Sequence, residues 1–183
     1  MNKGERKGKL GEESTRRRVI ARGAVALAGL AMGSAIAGAQ QTMTETPSTG
    51  ADKTRTSLHQ EVDLKGSPHR IYQILLDAKL FTAFSGESAT ISPEAGGAFT
   101  LFGGKIEGRT IELVPDQRIV PAWRPSYWKP GAYTLVKFEL TEHGSQTHVV
   151  LDHTGFPEGQ FASLSSGWKE HYWERLTEYL AKA

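Results

Sequence analysis

The sequence predicts an α+β fold in which a curved antiparallel sheet wraps around one long C-terminal helix. Three observations lead there. The stretch Gly96 to Arg124 reads as three consecutive strands with their turns written in. Phe99 and Leu101 alternate onto one face of the first, Gly103-Gly104 supplies a tight turn, and Lys105 to Val114 returns. Pro115-Asp116 then turns the chain into Arg118 to Arg124, where Ile119, Pro121 and Trp123 share a face. One face of such a meander must be covered by apolar groups, and the only long amphipathic stretch left is the last one. From Ser166, Trp168, Tyr172, Leu176, Tyr179 and Leu180 fall on one helical stripe.

The remaining elements follow in order. Residues 1–39 read as a twin-arginine export signal: a polar start, Thr15-Arg16-Arg17-Arg18-Val19-Ile20, then the mild apolar run to Ala39. Two Ala-x-Ala sites place cleavage before Gly38 or Gln40. The run from Gly23 is 17 residues rich in Ala and Gly, at the short end for a membrane span, so no stable insertion is expected after processing. Residues 40–56, with Thr, Ser and Pro and little to bury, read as a flexible spacer. The domain spans 57–183. Leu58, Gln60, Val62 and Leu64 alternate as a first strand, and Ser67-Pro68 caps a helix carrying Ile71, Tyr72, Leu75 and Leu76. A second short helix, Ala78 to Phe84, ends at Gly86, and Ser88 to Ser92 is a short strand. After the meander, a loop from Pro125 to Gly131 carries Tyr127 and Trp128. Strands Tyr133 to Thr141 and Gln146 to Thr154 follow, and Gly155-Phe156-Pro157 ends the sheet. Pro121 cannot donate to a ladder, so a bulge or an edge position is expected there.

Composition excludes several functions. Across 183 residues there is no cysteine, hence no disulfide framework, thiol nucleophile or thiolate zinc site. The formal charge of +2 belongs to the leader, whose 39 residues hold 8 of the 22 Lys+Arg and 3 of the 20 Asp+Glu. The mature part is mildly acidic, which argues against nucleic acid. His171 with Glu170 or Glu174 lacks the third ligand a zinc site needs. Neither Ser85-Gly86 nor Gly103-Gly104 lies between a strand and a long helix, so neither is a nucleophile elbow or a phosphate loop. No cofactor or metal is expected.

From Ala83 to about Leu180 the chain resembles the C-terminal domain of the activator of heat-shock protein 90 ATPase, within the START-like, Bet v 1-like superfamily. The resemblance is carried by Gly96-Gly97-Ala98-Phe99, Gly104 to Gly108, Glu112 to Pro115, Ile119 to Arg124, Trp128 with Gly131, Gly155-Phe156-Pro157, and Gly167-Trp168-Lys169 with Tyr172. It implies a helix-grip fold with a cavity between sheet and helix. It also implies three functions: binding a small apolar ligand, docking to a protein as the co-chaperone members do, or cyclase-type catalysis. The leader directs the chain to the periplasm or the medium, where ATP is absent, so ligand binding is expected first.

The residues expected at a ligand site are Phe99, Arg109, Trp123, Tyr127, Trp128, His153, Trp168 and Tyr172. The aromatics serve equally as core or as cavity wall. Trp123 is expected in the wall and Trp128 at the entrance, with Gly108, Thr110 and Ala122 leaving room on whichever face they line. Alternation puts His153 on the apolar face with Thr147, Val149 and Leu151. There it is a general base, a ligand-orienting donor, or, more commonly, a histidine satisfied at the cavity rim. Arg109 alternates with Ile111 and Leu113, so it either points inward as an anion anchor or pairs with Glu112, Glu139 or Asp152.

Overall fold

The computed structural model describes residues 51–182. Its seven strands are β1 (Ser57–Lys65), β2 (Thr90–Ile91), β3 (Ala98–Leu101), β4 (Ile106–Val114), β5 (Arg118–Pro125), β6 (Thr134–His143) and β7 (Gln146–Thr154). All neighbours are antiparallel, in the order β1-β7-β6-β5-β4-β3-β2. The long connection from β1 to β2 holds two helices, α2 (Pro68–Leu76) and α3 (Ala78–Ser85); α1 (Ala51–Thr54) precedes β1. This is a helix-grip fold: the sheet curves around the C-terminal helix, and α2 and α3 close one side.

Local chemistry accounts for the boundaries. The Ser67 hydroxyl accepts from the Arg70 N–H with Pro68 in the first turn, and Gly86 ends α3 in the left-handed conformation. Asp77 both ends α2 and caps α3 through the N–H groups of Lys79 and Leu80. Pro121 lies inside the sheet on β5, and a bulge sits opposite it: Thr110 pairs with Pro121 and Glu112 with Val120, leaving Ile111 as the extra, outward residue. The turn after β3 is larger than a two-residue hairpin. Phe102, Gly103 and Gly104 all have positive φ, and Phe102 is thereby turned into the core.

Two expectations change. Residues 51–56, placed in the spacer, include the turn α1, and the Arg55 guanidinium lies 3.9 Å from the centre of the Phe161 ring. Residues 1–50, with the leader and most of the spacer, lie outside the described residues. The C-terminal helix begins at Phe161 rather than Ser166 and is not uniform. It runs as α4 (Phe161–Trp168), a π-helical turn over Lys169–Trp173, and α5 (Glu174–Ala181). Tyr172 and Trp173, consecutive in the π-helical turn, are both buried.

Gly108 shows how tightly the meander closes. It faces inward, but the Phe99 ring already covers it: a Cβ there would lie 2.2 Å from the Ala122 carbonyl oxygen and 2.3 Å from Phe99 Cζ. The room expected at Gly108 is therefore filled. Because one of the colliding atoms is backbone, Gly108→Ala is expected to cost about 3 kcal/mol, read as a lowered urea midpoint at unchanged slope. An unchanged midpoint would show that β3, β4 and β5 do not approach so closely.

Candidate functional site

Inward positions of β3, β4 and β5 face the C-terminal helix across two adjoining spaces. An outer cavity of about 230 Å³ is walled by Phe102, Ile106, Trp123, Leu164, Trp168 and Tyr172. An inner chamber of about 40 Å³ lies deeper, against Phe81, Phe99, Leu101, Thr110 and Phe138. Trp123, Trp168 and Tyr172 line both and form the partition between them. Trp168 packs 4.4 Å from Tyr172 and 5.8 Å from Trp123, centre to centre. Polar groups gather only at the mouth: the Lys105 ammonium pairs with Glu87 at 2.6 Å, with Ser163 and His171 beside them.

The structure separates the expected site residues into three groups. Phe99, Trp123, Trp168 and Tyr172 line the cavity or the chamber, and Tyr127, 73% exposed, stands at the mouth. Trp128 is not the entrance residue. It is buried behind Trp123, edge-to-face at 6.2 Å, and lines neither space. Arg124 holds it there, donating to the Trp128 carbonyl at 2.7 Å and to Glu107 at 2.7 Å. Arg109 does not point inward. It is exposed on the outer face, and its guanidinium donates to the Gly96 carbonyl. The bulge at Ile111 explains the error, because it breaks the alternation that linked Arg109 to Leu113. Of the three small residues, only Thr110 faces the chamber.

His153 is fully buried, behind the partition rather than in it. Trp168 Nε1–H donates to its Nδ1 at 3.1 Å, and its Nε2 lies 2.8 Å from Thr134 Oγ1. The Thr134 hydroxyl spends its proton on the Trp123 carbonyl at 2.8 Å, so it must accept from Nε2–H. Only the neutral Nε2–H tautomer satisfies all three bonds. Burial pushes the imidazole pKa down to about 3. The ring is a satisfied structural histidine that aims Trp168 and Trp123 at the cavity, and it has no path to a ligand. Tyr172 is shifted upward by burial, offset in part by the Trp123 N–H.

Lys105, Glu87 and Phe102 had no signal of their own in the sequence. Phe102 and Lys105 reach the cavity through the positive-φ residues after β3, and Glu87 through the left-handed Gly86 that ends α3. Among the described residues, no cluster of His, Asp or Glu could hold a metal ion, and no helix is long and apolar enough to cross a membrane.

Residues 65–181 match the family model described as Activator of Hsp90 ATPase homolog 1-like protein. The chain is similar to the Activator of 90 kDa heat shock protein ATPase homolog of Dictyostelium discoideum, 30% identical over 67% of this chain and 32% of that protein. It is also similar to the human Activator of 90 kDa heat shock protein ATPase homolog 1, 26% identical over 61% of this chain and 33% of that protein. The chain thus spans about a third of the length of the curated relatives it matches. Among solved structures, an HSP90 activator from Plasmodium falciparum superposes with a TM-score of 0.66 at 24% identity, covering 69% of this chain and 97% of that one.

Proposed function

Because this chain belongs to the Activator of Hsp90 ATPase homolog 1-like family, with the helix-grip fold, we propose that it binds a small apolar molecule between sheet and C-terminal helix. The observation that carries this is the aromatic outer cavity of about 230 Å³, apolar inside and polar only at its mouth. An apolar space of about 150 Å³ suffices for benzene, so the fitting ligand has one or two rings. Burying about 400 Å² of combined apolar surface gains roughly 10 kcal/mol, and association costs leave a Kd on the order of 0.1 mM for an unadorned hydrocarbon.

Gly167 provides the test. It lines the cavity from within α4, its φ is ordinary, and a Cβ there would meet nothing within 4 Å. Gly167→Leu is expected to plug the space and abolish quenching of tryptophan fluorescence by naphthalene. It should hold or raise Tm, since leucine favours the helix by roughly 1 kcal/mol. Absence of naphthalene binding by the unaltered chain up to its solubility would sink the ligand reading.

A second reading, docking to a protein, rests on the relatives' names and on apolar residues open to solvent outside the cavity: Ile111, Tyr133 and Leu135, each about half exposed. Gly167→Leu separates the two readings, because it fills the cavity and leaves that face unchanged.

The site of action we propose is the bacterial periplasm or medium, on the strength of Arg16-Arg17 before a weakly apolar run. Replacing both arginines by lysine is expected to retain the unprocessed chain in the cytoplasm. Normal processing of that variant would refute twin-arginine export.

A further inference from the structure

Three tryptophans meet at the sheet–helix interface, and two have hydrogen-bond partners: Trp168 donates to His153 and Trp173 donates to Gln60 at 2.6 Å. Trp123 does not. It is 5% exposed and its Nε1–H makes no hydrogen bond of good geometry, the Tyr172 hydroxyl near it being too poorly placed to satisfy it, although a buried indole N–H left unmade is costly. It stands in the partition between the outer cavity and the inner chamber, beside Tyr172, whose hydroxyl feels the indole N–H. Thr110 is the other polar residue of the inner chamber, and no cation lines it; Lys105 and His171 belong to the mouth.

We propose that this site selects a ligand whose inner end is a neutral hydrogen-bond acceptor, an aryl ketone being the class that fits, received by Trp123 N–H and Tyr172 O–H together. The inference rests on the cavity reading above and specifies its chemistry. An indole can only donate, so the missing partner must accept. A carbonyl oxygen has two lone pairs and can take the indole and the phenol at once. A carboxylate would enter an apolar chamber without a counter-ion, which desolvation forbids. The aromatic body of such a ligand fills the outer cavity, and its carbonyl reaches the partition.

A matched pair of probes tests this: tetralin and 1-tetralone, nearly identical in shape, titrated calorimetrically into the full chain. In an apolar cavity lacking donors the hydrocarbon binds more tightly, because the ketone loses its bonds to water. Here 1-tetralone is expected to bind about tenfold more tightly than tetralin. Trp123→Phe should remove that advantage, read as the ratio of the two Kd values within the variant, so that a change of the cavity wall, which acts on both compounds alike, cancels. Tyr172→Phe keeps every indole in place and should reduce the advantage in part. The carbonyl stretch of bound 1-tetralone should lie at lower frequency in the unaltered chain than in Trp123→Phe. Tighter binding of tetralin, or a ketone advantage that survives Trp123→Phe, overturns the proposal while leaving the cavity a ligand site. Failure of both compounds to bind removes the cavity reading itself.

Discussion

Replacing Trp168 by alanine is expected to destabilise the domain by about 3–5 kcal/mol and lower Tm by roughly 10–20 °C. The residue is 3% exposed and packs against Trp123, Phe138, Tyr172 and Trp173, so its removal leaves a void bounded by rings that cannot collapse together. It also strips the donor from His153 Nδ1, leaving a buried acceptor unpaired. Trp168→Phe separates the two losses, since it restores most of the volume and not the hydrogen bond. A change no larger than that of the exposed control Lys182→Ala would show that the helix does not pack into the sheet at this point.

Acid is expected to unfold the domain through His153. The imidazole is held neutral with a pKa near 3, whereas in the unfolded chain it protonates near its ordinary 6.5. As pH falls, the unfolded state takes up the proton first. The contribution of His153 is therefore complete above about pH 6.5 and is lost progressively down to about pH 3. The slope approaches 1.4 kcal/mol per pH unit, for a total of roughly 4–5 kcal/mol. Asp152 and Asp63 act in the same direction: His59 holds the first below the usual carboxylate range and His148 the second, so their pairing is lost as the acid titrates them. His59 opposes them. Bonded to Asp152 and Glu61, its pKa is raised, so its contribution is present at low pH and lost as pH rises, and solvent screening at this exposed site keeps it minor. Urea titrations at pH 7.5 and 4.5 check the assignment. His153→Gln should be the less stable protein at pH 7.5 and should lose clearly less than the parent on acidification. Equal losses would place the acid sensitivity elsewhere.

Local rules were legible where the chain writes them locally. Ser67-Pro68, Gly86 and the alternating strands β1, β5 and β7 need only their own neighbours, because a cap, a left-handed glycine and a period of two are short-range constraints. The family resemblance was legible for the same reason. It rests on runs of adjacent residues around turns and strand ends.

The sequence by itself determined the order of elements, the curved antiparallel sheet, the covering helix and the aromatic residues at their interface. Only the tertiary structure decided which of those aromatics face empty space. Phe99 closes over Gly108, Trp128 retreats behind Trp123, and Arg109 leaves the interior because Ile111 is an extra residue in β4. The π-helical turn that holds the buried Tyr172 and Trp173, and the pairing of His153 with Trp168 and Thr134, are likewise products of packing. The physical reason is common to all of them. A bulge, a π turn or a buried hydrogen bond is set by which side chains from distant strands compete for one volume, and no periodicity within a single segment records that competition.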